Sequence, residues 1–130
     1  MANLNNLRCL IEALRSGKYK QTFKQLRKGD CFCAEGVACE VYRQQTSQAE
    51  WEGDTFLILD ELVGERYWWA AVMPPRVTEW LGVNHEFIKY KGETRNLISL
   101  NDHYQLSFAE IADLLERQCC ASDKEDYGTK

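Results

Sequence analysis

Apolar residues at helical spacing mark both ends of the chain. Between positions 4 and 14 they recur every three or four residues, which predicts an amphipathic helix that ends at Gly17. Near the other end, Ser107 and Glu110 have the spacing of a capping box, in which each side chain bonds the other residue's backbone N–H. The helix behind that box is predicted to bury Phe108, Ile111, Ala112, Leu114 and Leu115.

A second helix is predicted after Asp30, a residue type that often caps helix N-termini. Glu35 and Glu40 lie off its apolar stripe and are expected on other sides of the helix. Gly36 costs up to ~1 kcal/mol relative to alanine in a helix interior. Its presence among small residues therefore suggests that another backbone approaches closely there. The apolar stripe consists of Ala34, Val37, Ala38, Val41 and Tyr42.

The middle of the chain predicts a β-hairpin. Residues 44–52 are polar and predict a loop, whereas 55–59 are rich in strand-forming residues and predict a strand. Residues 66–72 predict the strand that returns beside it. A helix through 57–62 is the alternative for the first strand.

Proline and glycine divide the next part into short elements. Pro75 suits the first turn of a helix, and Gly82 is expected to end it. Residues 85–91 predict a further strand, and 97–100 predict a short helix before Asn101. The pattern as a whole predicts an α+β fold, with about four helices packed on a small antiparallel sheet or hairpin.

Composition indicates one globular domain. The 130 residues are 45% hydrophobic and 28% charged, which suits a globular protein with a single core. We expect 1–120 to form that domain and 121–130 to be a flexible acidic tail. The N-terminal residues lack the apolar run of a secretory signal, and the longest apolar stretch, 68–73, is too short to span a membrane. We therefore expect a cytoplasmic protein without membrane contact.

Charge argues against nucleic-acid binding. Sixteen basic and 20 acidic side chains give a net charge of −4, which removes the general attraction to phosphates. The last helix resembles the first helix of a helix-turn-helix motif, but no recognition helix follows it. Its acidic residues Glu110, Asp113 and Glu116 would also repel phosphates. We expect no specific binding to duplex DNA.

The chain contains six cysteines, and a reducing cytosol would keep them as thiols. Zinc is an alternative for Cys31, Cys33 and Cys39, but a second pair of ligands is missing. A dyad of one cysteine with His85 or His103 has no local support. We expect packed thiols, with no metal and no cofactor. The six are Cys9, Cys31, Cys33, Cys39, Cys119 and Cys120.

Two groups of residues are candidate binding surfaces, and none is a candidate catalytic residue. Successive side chains of a strand face opposite ways, so one of two adjacent tryptophans should be free to meet a partner. The candidate partner-binding residues are Trp51, Tyr67, Trp68 and Trp69. A basic segment and a polar corner could instead contact a small molecule, although a solvated loop and an Asx turn also explain them. These candidate ligand-binding residues are Lys18, Lys20, Lys24, Arg27, Asn101 and Asp102.

Five motifs occur in a characteristic order. They are LRSGKYKQ at 14–21, FCAEGVACE at 32–40, PRVTEWLG at 75–82, LND at 100–102 and SFAEIADL at 107–114. As a set they resemble a family of small uncharacterised proteins encoded by tailed bacteriophages, prophages and some bacteria. The resemblance covers residues 7–118, except for a stretch near 44–66. It implies a phage or prophage origin and a bacterial cytoplasm, and it transfers no catalytic residue.

These observations favour a non-enzymatic interaction or regulatory protein that binds a host protein or associates with itself. The surplus aromatic residues and the lack of any catalytic motif support this hypothesis. The alternative is a small-molecule or nucleotide-binding protein that uses the basic segment. An enzyme that depends on a cysteine is the weakest of the three hypotheses.

Overall fold

The computed structural model describes residues 3–60 and 65–120, except for the side chains at 60 and 65–67. The predicted tail at 121–130 lies outside the described residues. The α-helices within the described ranges are α1 (Leu4–Arg15), α2 (Ala34–Thr46), α3 (Pro75–Leu81) and α4 (Phe108–Leu115). Two π-helical turns cover Ser99–His103 and Glu116–Cys120. The strands are β1 (Lys20–Gln21), β2 (Arg27–Lys28), β3 (Cys31–Phe32), β4 (Ala49–Glu52), β5 (Thr55–Asp60), β6 (Glu65–Trp69), β7 (Ile88–Tyr90) and β8 (Glu93–Arg95).

The strands of the described residues form three small sheets, so the predicted α+β class is confirmed. An antiparallel meander, β4-β5-β6, is the largest, and it places Phe56 opposite both Trp51 and Trp69. A second sheet has the order β1-β3-β2, in which β1 and β3 run parallel. Strands β7 and β8 form a separate hairpin. The predicted hairpin is therefore present, but its second strand ends at Trp69, so the prediction of a strand at 70–72 is wrong. The alternative helix is wrong over 57–60, and its last two residues lie outside the described residues.

One hydrophobic core joins the described elements. Helix α1 buries Leu7 and Leu10 completely, and α4 buries Ile111 and Leu115 completely. Arg15 at the end of α1 contacts α4 at its outer edge, where its guanidinium lies 2.6 Å from the carboxylate of Asp113. The first and last predicted helices thus pack against one another around a common core.

Helix α2 begins later than the sequence predicts. Cys31 and Phe32 are extended because they pair with strands on both sides, so Asp30 cannot cap the helix. Cys33 occupies the N-cap position instead, and its sulfur accepts a hydrogen bond from the backbone N–H of Gly36 at 3.4 Å. The prediction of Asp30 as the cap is wrong, and Cys31 lies on β3 rather than on the helix.

The predicted loop at 44–52 is also wrong. Helix α2 continues to Thr46, and β4 begins at Ala49. The strand is polar because it lies at the edge of its sheet: Ala49 is buried, Glu50 and Glu52 are exposed, and Trp51 is half-buried. This alternation is typical of a strand with one buried face.

The helix boundaries near proline and glycine follow the local rules. Pro75 is the first residue of α3, and Gly82 ends that helix with a left-handed φ of 74°. The capping box of α4 is confirmed: Ser107 accepts from the N–H of Glu110 at 3.1 Å, and Glu110 accepts from the N–H of Ser107 at 2.9 Å. None of the helices in the described part of the chain is both long and apolar enough to cross a membrane.

Candidate functional site

A buried carboxylate lies in the first turn of α2. Glu35 has no exposed surface, although a glutamate is rarely buried without a partner. Its neighbour Gly36 explains how this part of the helix comes to be enclosed. A Cβ atom at Gly36 would lie 1.8 Å from the backbone oxygen of Leu26, so only glycine allows the two backbones to approach so closely. The predicted close approach of another backbone is confirmed.

Two groups contact the Glu35 carboxylate. Oε1 accepts a hydrogen bond from the backbone N–H of Met73 at 2.7 Å. Oε2 lies 2.9 Å from Nε2 of His85, and both of these atoms are buried. Neither atom has another hydrogen-bond partner among the described residues, so their contact is what compensates for their burial.

Burial has the largest effect on Glu35 and raises its pKa above the ordinary value of a glutamate. The N–H of Met73 and the imidazole of His85 both act in the opposite direction, but they do not cancel the effect of burial. Glu35 therefore takes up a proton more readily than an exposed glutamate, and it does so in contact with the imidazole of His85. This pair links α2 to residues that lie 38 and 50 positions later in the sequence.

His85 also lines a shallow groove on the surface. The groove has a volume of about 220 Å³ and lies where β6 ends and α3 begins. Pro75 and Thr78 come from the first turns of α3, and Gly82 turns the chain so that His85 follows close behind. We call this feature the His85 groove, and it is lined by Trp69, Val72, Met73, Pro75, Thr78 and His85.

The four candidate partner-binding residues do not form one surface. Trp68 and Trp69 face opposite ways on β6: Trp68 is 53% exposed, and Trp69 packs against the core. Trp51 is half-buried, and its indole N–H donates to Glu40 at 2.8 Å. The side chain of Tyr67 lies outside the described residues. Among the candidates whose side chains are described, Trp68 is the exposed one, and Trp51 supports the fold.

The basic segment is divided between solvent and structure. Lys18, Lys20 and Lys24 are exposed. The guanidinium of Arg27 instead lies over the ring of Phe32, 5.5 Å from its centre, and its Nε donates to the carbonyl of Gly29. Arg27 therefore stabilises its own sheet, whereas a ligand-binding role for the lysines stays a prediction.

The polar corner at Asn101 and Asp102 holds the fold together. Asn101 is completely buried, and its amide makes four hydrogen bonds. Its oxygen accepts from Gln21 and from the N–H of Ala34, and its nitrogen donates to the carbonyl of Thr22 and to Asp102. Asn101 therefore has no hydrogen-bonding capacity left for a ligand.

The structure also bears on the cysteine hypotheses. All six cysteines are free thiols. Burial raises the pKa of Cys33 to about 12 and raises that of Cys39 well above its usual range, so both thiols are protonated at neutral pH. Among the described residues, no three cysteine, histidine, aspartate or glutamate side chains are arranged to hold a metal ion. His85 contacts a carboxylate and not a thiol.

Sequence reasoning did not find the pair of Glu35 and His85, because 50 positions separate the two residues. One local indication was available. Small residues surround Glu35 on every side of the helix, which is typical of a helix that is buried all round. A carboxylate on such a helix has no path to solvent and needs an internal partner.

Comparison with known proteins assigns a family and no activity. No curated protein and no solved structure matches the chain. The family match carries no source organism, so a phage origin stays a prediction. The family is described as a domain of unknown function, DUF8296, and its match covers residues 7–119. The chain therefore belongs to the DUF8296 family.

Proposed function

We propose that the chain is a non-enzymatic interaction protein, derived from a phage, which binds a host protein or a second copy of itself in the bacterial cytoplasm. The observation that carries this proposal is the exposure of Trp68 on β6. A tryptophan that becomes covered removes a large apolar area from water, and such residues are frequent anchors of protein interfaces.

The surroundings of Trp68 support a contact surface at this end of β6. Within the described ranges, the exposed large hydrophobic residues are Phe23, Trp68 and Val72, and two of them lie only four positions apart. Leu57 lies directly opposite Trp68 on the neighbouring strand but is completely buried, so Trp68 supplies the exposed apolar area of this pair. In addition, β6 is at the edge of its three-stranded sheet, and sheet edges can pair with another chain.

The chemistry of the described residues favours binding over catalysis. A cysteine enzyme needs a thiolate at neutral pH, and the raised pKa values of Cys33 and Cys39 work against one. Asn101, the most buried of the candidate ligand contacts, is fully used within the fold. These observations leave Trp68 as the strongest candidate for a functional contact.

The test compares Trp68→Ala with Phe23→Ala, which removes another exposed aromatic ring as a matched control. In one experiment, each variant and the wild-type protein are immobilised and exposed to a bacterial lysate. In a second experiment, the same proteins in solution are examined by sedimentation velocity. We expect the wild type to retain a specific protein or to self-associate. We expect Trp68→Ala to weaken that interaction by at least about tenfold, as is usual for a central anchor. Phe23→Ala should retain it.

Two outcomes would contradict the proposal. One is a wild-type protein that sediments as a monomer and retains nothing. The other is an interaction that Trp68→Ala and Phe23→Ala leave equally unchanged.

A further inference from the structure

The small sheet β1-β3-β2 carries a row of three side chains on its outer face. The register places Lys20 of β1 and Lys28 of β2 on either side of Cys31 in β3. Residues paired in this way point to the same face of a sheet, and the next residue, Phe32, points to the opposite face and is buried. Lys20 and Lys28 are exposed, and Cys31 is half-buried between them. We call these three residues the lysine row.

The two ammonium groups of the lysine row have no partner among the described residues. The side chains of Lys20 and Lys28 form neither a hydrogen bond nor an ion pair within that part of the chain. Neighbouring strands lie about 4.8 Å apart, so the Cα atoms of the two lysines are about 10 Å apart. The row therefore presents two separate positive charges to solvent.

The lysine row belongs to a basic part of an acidic chain. Residues 18–28 contain five basic side chains and no acidic one, although the net charge of the chain is −4. Two carboxylates approach this part, but both bind backbone: Asp102 accepts from the N–H of Lys24, and Asp54 accepts from the N–H of Gly29. Asp30 is exposed in the turn between β2 and β3, at one end of the row. The positive charge is therefore local and largely uncompensated.

We infer that the lysine row binds an acidic segment of another protein. This inference goes beyond the proposed function, because it concerns a different sheet and does not require Trp68. Carboxylates at alternate positions of an extended segment lie about 7 Å apart on one side of it. Lysine side chains are long and flexible, so both ammonium groups of the row can reach such a pair of carboxylates.

A second copy of the chain does not fit the same face. In a two-fold symmetric contact each surface meets itself, so the lysines of one copy would lie against the lysines of the other. Like charges placed opposite one another are unfavourable. In addition, β1 and β2 are the edge strands of this sheet, and lysines on edge strands discourage pairing between copies. The occupant is therefore a different protein.

A nucleic acid fits less well than an acidic protein segment. A nucleic acid carries a charge at every phosphate, so the phosphates beyond the row would meet a protein of negative net charge. A short acidic segment places its charges only where the lysines are. Exposed charges more than about 8 Å away are largely screened at physiological salt, so the rest of the chain affects such a segment little.

The first test compares two blocked peptides, Glu-Ala-Glu-Ala-Glu and Gln-Ala-Gln-Ala-Gln, which have the same length and differ in charge. Each is titrated into the wild-type protein while two-dimensional NMR follows the amides of Lys20, Cys31 and Lys28. We expect the acidic peptide to bind about tenfold more tightly, as two exposed ion pairs predict. The preference should disappear at about 1 M salt, where the Debye length is about 3 Å.

Three results of this titration would overturn the inference. They are equal affinities for the two peptides, shifts confined to another part of the protein, and binding of the acidic peptide that is too weak to measure at millimolar concentrations.

Two double variants assign the preference to the lysine row. Lys20→Gln with Lys28→Gln should make the affinities for the two peptides equal. Lys89→Gln with Lys91→Gln is the matched control, since it removes the same charge from two exposed lysines outside the row. It should keep the tenfold preference. A preference that survives in the first variant, or is lost equally in both, would contradict the role of the row. The comparison in the wild type holds even where a variant fails to fold.

Cys31 reports directly on whether the row is covered. Iodoacetamide is uncharged, so its reaction with a thiol does not depend on attraction to the lysines. We expect the acidic peptide to slow the alkylation of Cys31 in proportion to the fraction of protein bound, and to leave half-buried Cys119 unaffected. Unchanged alkylation of Cys31 at saturating peptide would show that the peptide binds elsewhere.

Two other anions test the source of the negative charge. Inorganic phosphate and single-stranded oligothymidylate are titrated in the same way. We expect both to shift the amides of the row at higher concentrations than the acidic peptide does. Tighter binding of oligothymidylate would identify a nucleic-acid surface, and equal binding of phosphate would identify an adventitious anion site. Either result would overturn the inference.

Trp68→Ala separates this inference from the proposed function. The variant should bind the acidic peptide as tightly as the wild type, because Trp68 lies on another sheet. A lysine row that prefers the acidic peptide, in a protein that neither retains a partner nor self-associates through Trp68, would overturn the proposed function alone. A partner retained through Trp68, together with a row that ignores the charge of the peptide, would overturn this inference alone.

Discussion

Two glutamates of α2, five positions apart, occupy opposite electrostatic environments. Glu35 is completely buried, and it has one backbone N–H and one imidazole as its partners. Glu40 is nearly as buried but accepts four hydrogen bonds from three side chains: two from Arg43, one from Gln44 and one from Trp51. Burial tends to raise both pKa values. For Glu40 the hydrogen bonds outweigh burial and lower the pKa, whereas for Glu35 burial prevails.

The difference shows that burial alone does not determine the role of a carboxylate. Glu40 is ionised, and its oxygens already accept four hydrogen bonds. It therefore connects α2 to β4 through its hydrogen bond with Trp51. Glu35 contacts the half-exposed imidazole of His85, so a molecule that binds His85 at the surface can change the surroundings of the buried carboxylate. A ligand can still change the pKa of a carboxylate whose hydrogen bonds are only partly satisfied.

Gly36→Ala is expected to have the largest effect, because it removes the enclosure that distinguishes Glu35 from Glu40. The new Cβ would collide with the backbone oxygen of Leu26, and a backbone atom cannot rotate away as a side chain can. We expect a loss of at least about 3 kcal/mol in the free energy of unfolding, at the upper end of the cost of overpacking. Urea denaturation checks this, and a variant as stable as the wild type would show that the backbones separate easily.

Glu35→Ala should come next. It leaves the N–H of Met73 and Nε2 of His85 buried without a partner, which costs about 3 kcal/mol for the two groups together. Glu35→Gln is the control, since its amide oxygen can accept from Met73 and its NH₂ can donate to His85. We expect it to lose about 1 kcal/mol or less. Equal losses in the two variants would mean that the charge matters more than the hydrogen bonds.

The elements that could be predicted from sequence depend on neighbours along the chain. Ser107 and Glu110 cap α4 by bonding each other, and Pro75 and Gly82 bound α3 through their own backbone preferences. Gly36 also revealed the close packing around it, because glycine in a helix interior is costly without such a reason.

The features that could not be predicted depend on distant contacts. Cys31 is extended because it pairs with Lys20 on one side and Lys28 on the other, and no local preference shows this. The partner of Glu35 is His85, which α3 and the turn at Gly82 bring into place. Helical periodicity placed Glu35 off the apolar stripe. However, α2 is buried on all sides as far as Tyr42, so a residue off the stripe in this part of the helix is still not exposed to solvent.

Glu40→Ala should cost less than Glu35→Ala despite the greater number of bonds. Arg43 and Gln44 lie near the surface and can bind water instead, and a partly exposed ion pair contributes at most about 1 kcal/mol. The indole N–H of Trp51 then loses its acceptor, which adds about 1 kcal/mol. We expect a total loss of about 1 to 2 kcal/mol in urea denaturation. A loss greater than that of Glu35→Ala would reverse our ranking of the two sites.

The smallest expected effect is the dependence of stability on pH, which should have opposite signs at the two sites. The pKa of Glu35 is raised on folding, so its contribution to stability is present below the usual glutamate pKa of about 4.3 and is lost as the pH rises through the raised value. The pKa of Glu40 is lowered, so its contribution is present above about 4.3 and is lost as the pH falls through the lowered value. Urea denaturation of the wild type, Glu35→Gln and Glu40→Gln between about pH 3 and 7 measures both contributions as differences from the wild type, in which titrating groups far from the substituted carboxylate cancel. Relative to Glu35→Gln, the wild type should lose stability as the pH rises above about 4.3. Relative to Glu40→Gln, it should lose stability as the pH falls below that value. One proton limits each slope to about 1.4 kcal/mol per pH unit, and slopes of the same sign would show that the two carboxylates do not differ as their surroundings indicate.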